Sequence, residues 1–183
     1  MLRVKNTVKV KNVMAEVKIN NLRQLYIGIG SNLDNPVAQV SLAIKKLSEL
    51  DKLNTMRASD FYESPPMGPS DQNNYINAVV MFKCGESPED ILLLVKGIES
   101  SMGRKKGAAR WSERVIDLDV IMYGDIPYKS DVLSIPHINA YERAFVLLPL
   151  MDINPDIYIP TQGYAKDLIR ECLYKDIKKI NKK

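Results

Sequence analysis

Residues 110–124 read RWSERVIDLDVIMYG. The run V-I-D-L-D-V-I-M is a β-strand stopped by Gly124, and it decides the fold. Read as a strand, it completes the order β-α-β-β-α-β with the segments before it. That is the ferredoxin-like, split βαβ order. The expected class is therefore α+β, a ferredoxin-like (βαββαβ) core with a mostly antiparallel sheet flanked by helices. Side chains alternate along a strand, so Asp117, Asp119 and Ile121 share one face, and Ile116, Leu118 and Val120 share the other. The apolar set is expected in the core. A strand that keeps two carboxylates needs a reason, since buried charge is costly unless compensated.

Working outward from that strand, LYIGIG (25–30) is a short apolar strand closed by glycine, and SNLDNP follows with Pro36 suited to a helix start. Val37, Val40, Ile44 and Leu47 recur at helical spacing. Residues 57–63 read as one strand, with Phe61 its apolar residue. ESPPMGPSDQNNY (63–75), with three prolines and a glycine, is a turn-rich loop, and YINAVVMFK (75–83) is a strand. SPED opens the next helix, with Ser87 as N-cap, Pro88 at N1 and Asp90 three residues on. Ile91, Val95, Ile98 and Met102 form its buried stripe, and Gly103 closes it. A second loop, GRKKGAAR, leads into the aspartate strand. Beyond it come VLSIPH, a short segment around 140–150 and a helix near 165–175.

The chain has 183 residues and a formal charge of +4, but the excess sits at its ends. Residues 1–25 carry a net +5 and residues 175–183 a net +4, leaving −5 on the body. A protein that grips nucleic acid should carry positive charge on its folded body, and the RNA-binding pattern of alternating glycine and aromatic residues is missing. The expected organisation is an N-terminal extension (1–24) that adds an edge strand or stays mobile, a single domain (25–175), and a solvated basic tail (176–183). No apolar run is long enough to span a bilayer, and no signal-peptide pattern opens the chain. Cys84 and Cys172 form no metal or redox motif, which suits a reduced, cytoplasmic setting.

The two carboxylates stand about 7 Å apart at their Cα atoms. Leaning inward, they can flank two cations about 3.5–4 Å apart. Oxygen ligands suit Mg²⁺, which is completed by water and phosphate oxygens. The plain alternative turns one aspartate to solvent and pairs the other with an arginine. Arg104, Lys105, Lys106, Arg110 and Arg114 fall within eleven residues, opposed only by Glu113. An acidic pair beside a basic loop is what a polyphosphate requires, with cations bridging oxygens that arginines grip in bidentate fashion. Gly103 and Gly107 suit a loop that closes over substrate. There is no Walker A motif, and GIGSNL lacks the last glycine of G-x-G-x-x-G. Two rivals stay open on the residues alone: a ferredoxin-like nucleic-acid module, and another Mg²⁺-dependent D-x-D transferase.

Four stretches, YIGIGSNL (26–33), YESPPMGPSDQNNYINAVV (62–80), GRKKGAARWSERVIDLDVIMYG (103–124) and LSIPHINAYERAFVLLPL (133–150), together resemble the 6-hydroxymethyl-7,8-dihydropterin pyrophosphokinase family. The resemblance runs from about Tyr26 to about Pro160. It implies an ATP-dependent transferase of folate biosynthesis, in which the pterin hydroxymethyl group attacks the β-phosphorus of ATP and AMP leaves. Expected partners are these two small molecules, with no nucleic acid, no membrane and a monomeric chain.

Carried over by residue, the resemblance assigns Asp117 and Asp119 to two Mg²⁺ ions on the ATP phosphates. Arg104 and Arg114 steady the phosphates and the leaving AMP, and with the two aspartates form the catalytic set. Glu99, Lys106, Arg110, His137 and Arg143 join the ATP site, with Leu133, Ser134 and Val120 about the adenine. For the pterin, Asn77 reads the ring edge, Ser64, Pro65 and Met67 add backbone groups, Tyr75 and Phe145 sandwich the ring, Trp111 closes over it and Asp117 orients the hydroxyl. Three residues depart from the family pattern: Lys106 for arginine, Ile138 for tyrosine and Lys96 for glutamine.

Overall fold

The computed structural model describes residues 22–69, 71–104, 112–125, 127–172 and 176–180. The central strand is β1 (Arg23–Ser31). It pairs antiparallel with β4 (Tyr75–Cys84) on one side and β5 (Asp117–Tyr123) on the other. The free edge of β4 carries two short strands, β2 (Asn54–Ala58) and β3 (Phe61–Ser64). The sequence reads these as one strand over 57–63; the structure breaks it at Ser59–Asp60. The break has a local cause. The Ser59 N–H donates to Val79 O at 2.9 Å, and Ser59 Oγ accepts the Val79 N–H at 3.0 Å. A side chain thus satisfies the β4 backbone where the pleat is interrupted. With β2 and β3 taken as one interrupted strand, the order is β2/β3–β4–β1–β5, all antiparallel. This is the expected ferredoxin-like sheet.

Two helices cover one face. α1 (Pro36–Ser48) starts at Asn35, whose side chain accepts the Ala38 N–H at 3.3 Å. α2 (Pro88–Ser101) follows from β4. Ser87 Oγ accepts the Asp90 N–H at 3.2 Å and donates to the Asp90 carboxylate at 2.8 Å, as the SPED reading requires. Val40, Ala43 and Leu47 of α1 and Ile91, Val95 and Ile98 of α2 pack on Leu25, Ile27, Ile29, Leu118 and Val120. Fully burying a side chain such as Ile27 or Leu118 stabilises the fold by about 1.5–3 kcal/mol each.

The opposite face is covered by α3 (Ala144–Ile153), which follows a 3₁₀ turn (Ala140–Glu142). Being apolar nearly all round, this helix is buried. Leu147, Leu150 and Ile153 meet Tyr26, Val79, Met81, Ile121 and Met122. A bulge between Tyr26 and Ile27 skips Ile121 in the pairing, so Ile121 and Met122 both serve this face. The hairpin β8/β9 (Tyr158–Ile159, Gly163–Tyr164) completes this half, while the hairpin β6/β7 (Tyr128–Lys129, Ser134–Ile135) packs Tyr128 and Ile135 against the helix-covered core. The helix expected near 165–175 is shorter, a single turn, α4 (Ala165–Leu168).

The expected solvated tail is corrected for its described part. β10 (Lys178–Ile180) pairs with β3 as a sixth strand. Lys179 Nζ lies 2.8 Å from Asp60, 3.0 Å from Asp152 and 5.8 Å from the Tyr62 ring centre. Acidic neighbours at the sheet edge, together with unpaired β3 backbone groups, hold the basic segment in place. Most of the N-terminal extension, residues 1–21, lies outside the described residues.

Candidate active site

The β1 register makes the site. Asp117 on β5 stands opposite Gly30, and Gly30 stands opposite Asn77 on β4. One step along, Asp119 faces Gly28, which faces Val79. The two glycines therefore leave a trough between an acidic strand and an amide-bearing one. A Cβ added at Gly28 would lie 3.0 Å from Ile121 Cδ1, and one at Gly30 3.4 Å from Asn77 Oδ1. The glycines read in the sequence as a failed nucleotide motif are the floor of a cavity of about 280 Å³. Period-two alternation of Tyr26, Gly28 and Gly30 was the signal that could have shown it.

Twelve residues expected at the site line this cavity: Ser64, Pro65, Met67, Tyr75, Asn77, Arg104, Arg114, Asp117, Asp119, His137, Arg143 and Phe145. Val120 points into the helix-side core, and Leu133 packs against that core from β7's flank. Neither they nor Ser134 line the cavity. Lys106, Arg110 and Trp111 lie outside the described residues.

Glu99 is placed differently from the expected nucleotide contact. It is 2% exposed, beneath β5. Its Oε1 accepts from the Leu118 N–H at 2.7 Å, from Lys96 Nζ at 3.0 Å and from Arg104 Nη1. Burial raises its pKa, and the Leu118 and Lys96 donors only partly offset that. Glu99 thus ties α2 to β5 and holds Arg104. The backbone aims Arg104 as well. Gly103 adopts φ 90°, and the Arg104 N–H returns to Glu99 O at 3.0 Å in a Schellman turn.

Asp117 is compensated on both oxygens. Arg104 Nη1 lies 2.5 Å from Oδ1, and Arg114 Nη1 lies 2.6 Å from Oδ2. Burial alone would raise the carboxyl pKa; Arg114, Arg104 and Lys96 together outweigh burial and hold it below the ordinary range. Part of the plain alternative is thus realised, since one aspartate does pair with arginines. Asp119 is more open, at 35% side-chain exposure, with His137 Nε2 3.9 Å away. Burial lowers the His137 pKa, and the Asp119 charge offsets it only in part. The Asn139 N–H points to His137 Nδ1 at 3.5 Å, which favours the tautomer protonated on Nε2.

Asn32, fully buried, was missed as a site residue. Its Oδ1 accepts the Arg114 N–H at 2.8 Å, and its Nδ2 donates to Gln72 Oε1 at 3.3 Å and Asn73 O at 3.4 Å. It joins the loop carrying Arg114 to the loop before Tyr75. Tyr75 spans the same gap, donating to Ser112 O at 3.5 Å. Asn77 Nδ2 donates to Ser64 Oγ at 2.9 Å and Tyr62 O at 3.3 Å. That fixes the amide plane beside the trough.

Among the described residues no cluster of three or more His, Cys, Asp or Glu could enclose a metal ion. Among the described residues the site offers a cation two carboxylates, the more open Asp119 and the ion-paired Asp117. That donor set fits Mg²⁺, which retains water and takes phosphate oxygens as its remaining ligands.

A family model described as 7,8-dihydro-6-hydroxymethylpterin-pyrophosphokinase (HPPK) matches residues 26–155, a span that holds both aspartates, both arginines and the glycine floor. The chain belongs to this family. Among curated relatives, the 2-amino-4-hydroxy-6-hydroxymethyldihydropteridine pyrophosphokinase of Haemophilus influenzae is 36% identical over 156 residues, covering 85% of this chain and 97% of the relative. The Pseudomonas aeruginosa enzyme of the same name is 31% identical over 159 residues, 87% and 98% of the two chains. Among solved structures, Plasmodium falciparum HPPK-DHPS aligns with a TM-score of 0.63 at 17% identity, covering 82% of this chain and 41% of that one. An HPPK-DHPS solved in complex with substrates gives 0.67 at 14% identity, covering 86% and 47%. The chain thus spans less than half of these solved chains, and the likeness to them is one of fold.

Proposed function

We propose that the chain transfers the pyrophosphoryl group of MgATP to the hydroxymethyl group of 6-hydroxymethyl-7,8-dihydropterin and releases AMP, a step of folate biosynthesis. The observation that carries this reading is the trough, where ion-paired Asp117 faces Asn77 across Gly30 and open Asp119 faces Val79 across Gly28. A polyphosphate suits the first wall, and a flat heterocycle with a polar edge suits the second.

Asp117 and Asp119 would hold two Mg²⁺ ions, which when bound neutralise phosphate oxygens and make the β-phosphorus electrophilic. Arg104 and Arg114 grip phosphate oxygens and stabilise the charge that grows on AMP. His137 donates from Nε2, and Arg143 adds a further cation. Asn77 and the backbone at Ser64, Pro65 and Met67 read the pterin edge. Tyr75 and Phe145 stack on the ring, worth about 0.5–1.5 kcal/mol each beyond buried area. Lys106 and Arg110 would add charge for the nucleotide, and Trp111 an aromatic face for the pterin. In the reaction the hydroxyl oxygen bonds to the β-phosphorus, the bond from that phosphorus to the α,β-bridging oxygen breaks, and the hydroxyl proton passes to water. Positioning dominates, as in phosphoryl transfer generally, with Asp117 orienting the hydroxyl rather than acting as base.

A cytoplasmic setting goes with this reading, where ATP is available and the free thiols of Cys84 and Cys172 persist. Among the described residues no helix is long and apolar enough to cross a membrane. The test is the nucleotide product. With Mg²⁺, ATP and the pterin, AMP should form only when the pterin is present; ADP in its place would mean an ordinary kinase.

A further inference from the structure

Each Asp117 oxygen carries a guanidinium, whereas among the described residues Asp119 has only a distant imidazole as ion-pair partner. A cation can therefore approach Asp119 directly but reaches Asp117 only when an arginine gives up an oxygen. The two arginines are not held alike. Arg104 is anchored twice, to Asp117 and to buried Glu99, and the Schellman turn fixes its backbone. Among the described residues the Arg114 side chain has one ion-pair partner, Asp117 Oδ2, while its backbone is held by Asn32. Arg114 can leave Asp117 without disturbing a second carboxylate; withdrawing Arg104 would also take a guanidinium from buried Glu99, leaving it Lys96 and the Leu118 N–H. Glu99 and Lys96 keep the Arg104 side of the network intact during such a change.

We propose that Arg114 is an exchangeable counter-ion: it holds Asp117 Oδ2 until nucleotide phosphates draw the guanidinium away, and the carboxylate oxygen then passes to Mg²⁺. Arg104 remains on Oδ1 throughout. The inference rests on the pyrophosphokinase reading and on the assignment of Asp117 and Asp119 to the metal. Its consequence is that metal and nucleotide bind with positive coupling, each raising the affinity of the other by the same factor. Metal alone binds weakly, because it must break an ion pair beside two cations.

The test uses Mn²⁺ with the full chain, the protein-bound ion being read by equilibrium dialysis so that the analogue's own Mn²⁺ complex, equal on both sides, cancels. Wild type, Arg114→Met, Lys96→Met and Asp119→Asn are each titrated with and without α,β-methylene-ATP, whose bridge cannot be cleaved. Without nucleotide, Arg114→Met should bind Mn²⁺ on the order of tenfold more tightly than wild type. The analogue should tighten Mn²⁺ binding strongly in wild type and much less in Arg114→Met. Melting temperature in Mn²⁺ should rise in parallel and shows that the variant is folded; Arg114→Gln gives the same expectation if the methionine variant is not. Equal affinities of wild type and Arg114→Met without nucleotide overturn the exchange while leaving the metal assignment standing. So does an equal rise in Lys96→Met, which would reflect only a weaker positive field. Wild type that takes up no Mn²⁺ even with the analogue, or Asp119→Asn that binds as wild type does, overturns the assignment itself.

Discussion

Asp119 is the open carboxylate of the site, and its substitution is the sharpest residue-level test. Asp119→Ala should abolish turnover at any practical Mg²⁺ concentration, measured as AMP release; wild-type-like rates would remove it from the metal site. Arg114→Ala should lower kcat more than it weakens pterin binding, because the guanidinium serves the growing charge on AMP rather than the ring. Steady-state kinetics with a separate pterin titration decides between these effects. His137 carries a pH prediction. Burial holds its pKa below the ordinary 6.5. Between that value and the lowered native one, the unfolded chain binds a proton that the folded chain does not. Stability should therefore fall as pH drops below about 6.5, and rise again with pH. Urea unfolding from pH 7 to pH 5 should show that slope in wild type and a shallower one in His137→Gln.

The element that sets the catalytic geometry is the end of α2. Three things coincide there: Glu99 buried under β5, Gly103 in the left-handed region, and Arg104 turned back over both. A Cβ at Gly103 meets no atom within 4 Å, so Gly103→Ala acts through the backbone alone. It should cost about 1 kcal/mol of stability. It should also lower kcat, because Arg104 loses its aim at Asp117. A denaturant melt and a rate measurement on one preparation separate the two. A stability loss with unchanged kcat would show that the ion pairs alone position Arg104. The sequence gives Gly103 as a helix stop; what it stops the helix for is visible only once Glu99 is seen to face inward.

On the scale of the whole molecule, β10 links the C-terminal segment to the side of the trough proposed for the pterin. It pairs with β3, whose last residue, Ser64, orients Asn77. Removing residues 176–183 should speed amide exchange in β3 and raise KM for the pterin more than KM for ATP. Equal changes in both constants would show that β10 supports the fold without favouring that half of the site. Charge reading placed this segment in solvent because lysines alone carry no sign of a partner. The partners, Asp60 and Asp152, are more than twenty residues away in sequence and meet Lys179 only across the sheet edge.

Local patterns carried much of this protein. The alternation in VIDLDVIMYG placed Asp117 and Asp119 on one face, SPED and Gly103 bounded α2, and the βαββαβ order gave the sheet, because each rests on near neighbours and fixed backbone periods. Tertiary structure decided the remainder. Only strand register sets Gly28 and Gly30 opposite the two aspartates. Only packing turns Glu99 inward to hold Arg104, and only the meeting of two loops makes Asn32 their bridge. The glycine and Asn32 contacts join residues tens of positions apart, and Glu99 faces inward only because β5, nearly twenty residues on, packs over it; no spacing rule along one strand or helix specifies such partners.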